Sequence, residues 1–108
     1  MQNENNRSHF RLSYPHSVCP KLIMDHDQYD IENVSECGVK VIAGDDMEFM
    51  VDDSFLATIH FSDGKEFGLG GQVVRTEGNY VCLHLDAPLP KSILRKEVLL
   101  VMHNYPYH

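Results

Sequence analysis

The stretch FGLGGQVVRTEGNYVCLHLD, residues 67–86, decides the fold because it predicts two strands joined by a tight turn. Gly78 and Asn79 form a dipeptide typical of hairpin turns. In the second run Val81, Leu83 and Leu85 share one face, as in a half-buried strand. Glycines 68, 70 and 71 interrupt the first run and predict a bulge or sharp bend, which a small closed barrel needs at its corners.

Four more strand candidates precede this hairpin: CPKLIMD at 19–25, QYDIENVS at 28–35, GVKVIAG at 38–44 and SFLATIHF at 54–61. In the last one Phe55, Ala57, Ile59 and Phe61 alternate onto one face. The Asp63-Gly64 pair then predicts the turn into the 67–86 hairpin. About six strands joined by short turns predict an all-β fold, a six-stranded antiparallel β-barrel.

The two ends of the chain differ from this pattern. The segment KSILRKEVLLVMHNY, 91–105, predicts an amphipathic α-helix that packs on the barrel, with a strand over the β-branched EVLLV, 97–101, as the alternative. Its apolar stripe comprises Leu94, Val98, Val101, Met102 and Tyr105, and Lys91, Arg95 and Lys96 are expected in solvent. At the other end, residues 1–12 predict a flexible arm, so the expected organisation is this arm followed by one domain over residues 13–108.

Charge and composition exclude several classes of protein. The net charge is -7, and the negative charge is concentrated in residues 23–63. This segment carries eleven carboxylates, with Lys40 as its only basic residue. Such an acidic body repels a nucleic-acid backbone, so we expect no DNA or RNA partner and only a small, locally gripped anionic ligand. There is no apolar run of about 18 residues and no apolar leader, which predicts a cytoplasmic protein without membrane insertion.

Signatures of catalysis and of metal binding are missing. The chain has no GxSxG, no HExxH and no phosphate loop followed by Lys. Its seven histidines are scattered, and its three cysteines lack CxxC spacing. We therefore expect a protein that is not an enzyme, with no catalytic residues, no metal site and no cofactor.

Two short segments carry the chemistry that remains. Arg7 and Arg11 are four residues apart, and NVSECG follows at 33–38. Alone, the second segment reads as a turn, in which Asn33 and Ser35 bond to nearby backbone and Gly38 supplies a positive φ. Together, RxxxR and NxSxxG at this spacing resemble the PilZ domain, whose pattern is RxxxR followed by (D/N)xSxxG. The resemblance covers nearly the whole chain, because the strand order and the terminal helix also agree.

The resemblance implies a six-stranded barrel that binds the bacterial second messenger cyclic di-GMP. It assigns the ligand to Arg7, Arg11, Asn33, Ser35 and Gly38. A guanidinium can fork onto phosphate oxygens or onto guanine O6 and N7, or stack on a base. Asn33 would accept from a guanine edge and Ser35 would add a hydroxyl contact. The arm would become ordered on the ligand, and an unidentified downstream protein would read the result.

Two departures and three alternatives accompany this interpretation. Asn33 stands where many family members have Asp, and Glu36 lies inside the motif, so either could weaken binding. The first alternative is a PilZ-like module that contacts a protein and binds no cyclic di-GMP. The second is a small hydrolase using Cys37. The third is an oligonucleotide-binding barrel, which the acidity of residues 23–63 disfavours.

Overall fold

Seven strands and one α-helix occupy the part of the chain that the computed structural model describes, residues 11–44 and 49–106. A short 3₁₀ helix, His16–Val18, follows the first strand. The strands are β1 (Leu12–Ser13), β2 (Lys21–Met24), β3 (Asp27–Val34), β4 (Gly38–Ile42), β5 (Ser54–His60), β6 (Glu66–Glu77) and β7 (Tyr80–Leu85), and helix α1 covers Lys91–Asn104. In these residues no helix is long and apolar enough to cross a membrane.

Six of the strands close into an antiparallel barrel in the order β3-β2-β5-β6-β7-β4, with β4 pairing back onto β3. The predicted fold class, a six-stranded antiparallel barrel with a C-terminal helix, is confirmed. β4 lies between β7 and β3, so residues 43–53 must carry the chain to β5 elsewhere in the barrel. The expectation of a short turn between every pair of successive strands is wrong at this connection.

The interior of the barrel follows the predicted alternation. Phe55, Ala57 and Ile59 point inward from β5, and Val81, Leu83 and Leu85 do so from β7. Removing the larger of these side chains, those of Val, Leu, Ile and Phe, from water contributes about 1.5–3 kcal/mol each. The turns at Asp63-Gly64 and Gly78-Asn79 are also confirmed, since Gly64 and Gly78 have φ angles of 92° and 57°.

The glycines of β6 serve a purpose other than the predicted bulge. The pairing of β6 with β5 runs without a break through Gly68, Gly70 and Gly71, so a bulge at these residues is wrong. A Cβ atom at Gly71 would lie 2.0 Å from the backbone oxygen of His84. Gly71 is needed because the backbones of β6 and β7 approach too closely there for any side chain.

Helix α1 packs on the barrel through Val101, with Leu94, Val98 and Tyr105 half-buried. The prediction that Met102 belongs to the packed stripe is wrong, because 63% of this side chain is exposed. The other buried residue of this helix is acidic: Glu97 is only 2% exposed.

The N-terminal segment enters the fold at β1. Leu12 pairs with Val34 and is buried, and Ser13 pairs with Asn33. Residues 1–10 lie outside the described residues, so the predicted arm over 1–12 stays a prediction. What the described part establishes is that the chain arrives beside the end of β3, where the NxSxxG motif begins.

Candidate functional site

An open groove of about 490 Å³ crosses the outer face of β4, β6 and β7. This volume falls within the range of roughly 300–1,000 Å³ usual for small-molecule sites. The groove is lined by Arg11, Ser35, Cys37, Gly38, Val39, Lys40, Val74, Arg75, Cys82, Leu83 and His84. Three residues of the predicted site, Arg11, Ser35 and Gly38, therefore meet on one concave surface.

The turn between β3 and β4 forms one end of the groove and is held by backbone hydrogen bonds. The Ser35 amide donates to the Gly38 carbonyl at 2.8 Å. The Cys37 carbonyl accepts from Leu85 N–H at 2.8 Å, and the Glu36 carbonyl accepts from Leu89 N–H at 2.7 Å. Because the two carbonyls are fixed to the last residue of β7 and to the chain after it, the Ser35 hydroxyl is presented from a supported backbone.

Gly38 is required for space and not for an unusual backbone angle. Among the described residues, the glycines with positive φ are Gly44, Gly64 and Gly78, so the predicted positive φ at Gly38 is wrong. A Cβ atom at this position would lie 3.1 Å from Ser35 Oγ and 3.5 Å from the Leu83 carbonyl oxygen. A larger residue would therefore push the Ser35 hydroxyl away from its place beside the groove.

Arg11 and Asn33 are joined directly. Arg11 Nη1 donates to Asn33 Oδ1 at 3.1 Å, and Asn33 Nδ2 donates to Glu32 Oε1 at 2.9 Å. Asn33 is 8% exposed and does not line the groove. In this structure Asn33 holds Arg11 at the groove, and its carbonyl oxygen is already engaged.

Glu36 and Arg7 are the remaining positions that the sequence analysis named for the site. Glu36 is exposed and does not line the groove, so its carboxylate is not part of the groove wall. Arg7 lies outside the described residues. Its predicted role beside Arg11 stays a prediction.

Three cationic or titratable residues of the groove were not predicted: Lys40, Arg75 and His84. Lys40 and His84 occupy outward positions of β4 and β7, opposite in alternation to Val39 and Leu83. The alternation of residues along each strand predicts from the sequence alone that both side chains face outward. What the sequence lacked was the knowledge that β4 and β7 are neighbours, which pairs Lys40 with Cys82 and Gly38 with His84.

Arg75 reaches the groove through a β-bulge. The pairing of β6 with β7 shifts between Val73, opposite Leu83, and Arg75, opposite Cys82. Val74 is the extra residue, so Val73 is buried while Val74 and Arg75 both line the groove. Strict alternation would have turned Arg75 toward the core. A bulge commonly redirects a side chain beside a functional site in this way.

The charges of the groove are partly balanced at one side. Lys40 Nζ lies 3.9 Å from Glu32 and 3.8 Å from Glu77, and 4.7 Å from the centre of the Tyr80 ring. Arg75 Nε lies 3.2 Å from Glu77. These exposed pairs are weak, and the guanidinium of Arg75 still borders the groove. The arrangement suits an anion that also offers a flat surface for stacking.

A buried polar pair joins the segment after β1 to helix α1. The Tyr14 hydroxyl donates to Glu97 Oε1 at 2.7 Å. Burial raises the pKa of the Glu97 carboxyl above its ordinary value, although the Tyr14 hydrogen bond and Lys96 act in the lowering direction. Burial, followed by the contact with Glu97, also raises the pKa of Tyr14. Within the described residues, no cluster of His, Cys, Asp or Glu could hold a metal ion.

Fold and groove together define a small barrel with a surface groove that is lined by the cationic side chains of Arg11, Lys40 and Arg75. The sequence profile of the PilZ domain family matches residues 5–98. The chain belongs to the PilZ domain family, a family of cyclic di-GMP receptors whose domains are binding modules and not enzymes.

A solved structure shares the architecture. The crystal structure of an uncharacterized Legionella protein, Lpg0364, superposes with a TM-score of 0.57 at 18% sequence identity. The match covers 87% of this chain and 91% of that chain. At this identity the likeness concerns the fold alone. No curated protein matches the chain significantly.

Proposed function

We propose that this chain is a cyclic di-GMP receptor and that the ligand occupies the groove on β4, β6 and β7. The observation that carries the proposal is the meeting of Arg11 with the Ser35–Gly38 turn on one concave surface. These segments are distant in the sequence, and each holds part of the pattern that the family uses. Family membership over residues 5–98 supports the same ligand.

In this proposal, Arg7 and Arg11 bind the phosphates or a guanine edge through forked, charge-assisted hydrogen bonds. Ser35 contributes its hydroxyl, and Gly38 keeps that hydroxyl in place. Asn33 has two states. Without ligand it accepts from Arg11 at 3.1 Å. When Arg11 turns toward the ligand, the Asn33 carbonyl oxygen is released to accept from a guanine N–H.

In this proposal, ligand binding would order the N-terminal segment that carries both arginines, and this change would be the signal. The ligand would fix residues before Leu12 against the barrel, and a downstream protein would bind the surface that this creates. The segment is well placed for such a role because Tyr14, three residues after Arg11, bonds to Glu97 of helix α1.

Isothermal titration calorimetry with cyclic di-GMP tests the proposal. We expect one saturable binding event at ligand concentrations of about tens of micromolar, which corresponds to a binding free energy of roughly -6 to -7 kcal/mol. Arg11→Ala should weaken binding about tenfold or more, because a hydrogen bond to a charged group contributes roughly 1.5–3 kcal/mol. Arg95→Ala is the matched control, since Arg95 is an exposed helix residue outside the groove. Absence of binding by the wild type would refute the proposal.

A protein-interaction module without a ligand is the second candidate, and one observation favours it. Leu99 and Met102 of α1 are 60% and 63% exposed, which leaves apolar surface on the helix. Under this alternative, Leu99→Ser would abolish partner binding in cells. Arg11→Ala would leave it intact. Under the receptor proposal, Arg11→Ala abolishes the ligand-dependent part of the response.

A further inference from the structure

We infer that the β6–β7 wall of the groove is a second ligand-binding element, in which Arg75 and His84 hold the part of the ligand that Arg11 does not reach. The inference rests on the proposed function and adds to it. RxxxR and NxSxxG account for one end of the groove only. Arg75 and His84 lie on different strands from every residue of those motifs.

The bulge in β6 is the first argument. It interrupts the pairing with β7 to place Val74 and Arg75 side by side at the groove. A bulge leaves one residue out of the strand pairing, and the half-exposed position of Val74 does not explain why it is there. The bulge does change the direction of Arg75, because without it the guanidinium would face the barrel interior. With Nε directed to Glu77 and Nη2 3.9 Å from Cys82 Sγ, its plane is held next to the groove floor.

The register of β7 is the second argument. His84 is paired with Gly38 on one side and with Gln72 on the other. Because Gly38 has no side chain, none lies beside the imidazole at this paired position. His84 is exposed, and among the described residues no hydrogen bond or ion pair of its side chain is found. Its ring is thus available to a ligand.

Calorimetry with cyclic di-GMP tests the inference. His84→Ala should weaken binding about threefold or more, because it removes a hydrogen-bond partner of the ligand. His60→Ala is the matched control, because His60 is a half-exposed histidine of β5 that pairs with Glu66 outside the groove. It should keep the wild-type affinity.

Arg75→Ala should weaken binding at least about fivefold, since it removes a charge-assisted contact. The melting temperature of each variant shows that the barrel is intact. A His84→Ala affinity equal to that of His60→Ala overturns this inference and leaves the proposed function standing. An Arg75→Ala affinity equal to that of Arg95→Ala also overturns it. A wild type that binds no cyclic di-GMP overturns both.

Discussion

The Tyr14 hydroxyl and the Glu97 carboxylate form a buried hydrogen bond of 2.7 Å between residues 83 positions apart. Tyr14 follows β1 directly, and Glu97 is the buried acidic residue of α1. The pair therefore fastens the helix to the segment that delivers Arg11 to the groove. It is the one side-chain hydrogen bond between described residues that is both buried and distant in sequence.

Loss of the Tyr14 hydroxyl should destabilise the fold. Tyr14→Phe leaves the buried Glu97 carboxyl without its donor, which costs about 1–3 kcal/mol of unfolding free energy. Urea denaturation followed by circular dichroism measures this change. Tyr105→Phe is the matched control, since its ring is half-buried against the same helix end and no side-chain hydrogen bond of its hydroxyl is found in the described residues. Equal effects of the two substitutions would contradict a role for the buried pair.

The raised pKa of Glu97 predicts a pH dependence of stability. Because the folded protein holds this proton more tightly than the unfolded chain, the contribution of Glu97 to stability is complete below the ordinary pKa of 4.5 and declines as the pH rises above it. Glu97→Gln removes the titration and keeps an acceptor for Tyr14. The free energy of unfolding of the wild type, minus that of the variant, should fall between pH 4.5 and 7.5. A constant difference would show that burial does not shift this carboxyl.

Close packing of β6 against β7 predicts opposite outcomes for two glycine substitutions. In Gly71→Ala the new Cβ would lie 2.0 Å from a backbone oxygen, so the strands must separate, and we expect a loss of at least about 2 kcal/mol. Gly68→Ala meets no atom within 4 Å and should change stability by no more than about 0.5 kcal/mol. Thermal melts of both variants make the comparison. Similar melting temperatures would mean that the barrel yields easily at Gly71.

The cysteines offer a test of where the ligand binds. Cys37 and Cys82 line the groove, whereas Cys19 does not, and all three are free and half-buried. Saturating cyclic di-GMP should slow alkylation of Cys37 and Cys82 by iodoacetamide severalfold and leave Cys19 unchanged. Peptide mass spectrometry after timed labelling reads each thiol separately. Uniform protection of all three would indicate a general tightening of the barrel and not a ligand in the groove.

Gly38→Ala separates binding from folding at the predicted motif. The added methyl group would contact Ser35 Oγ at 3.1 Å, a contact that a small rotation of Ser35 can relieve. We therefore expect a stability change below about 1 kcal/mol together with a severalfold loss of cyclic di-GMP affinity. Calorimetric titration and a thermal melt on the same preparation measure both. Unchanged affinity would remove Gly38 from the proposed site.

Much of this architecture was predictable because its causes are local. Inward residues such as Phe55 and Val81 recur with period two, a property of the extended backbone itself. Gly64 and Gly78 mark turns because a positive φ is strained for residues with a side chain. The helical spacing of Leu94, Val98 and Val101 likewise needs no tertiary information. The pairing of RxxxR with NxSxxG predicted one shared site, and Arg11 and Ser35 both line the groove.

The sequence by itself determined the strands, the turns, the helix and the motif, since each depends on neighbours along the chain. Only the tertiary structure decided which residues complete the groove and the core. Arg75 faces outward because pairing with β7 makes room for the bulge at Val74. Glu97 is buried because Tyr14, at the opposite end of the chain, supplies its hydrogen bond. Both outcomes depend on contacts between distant segments, which alternation and spacing do not encode.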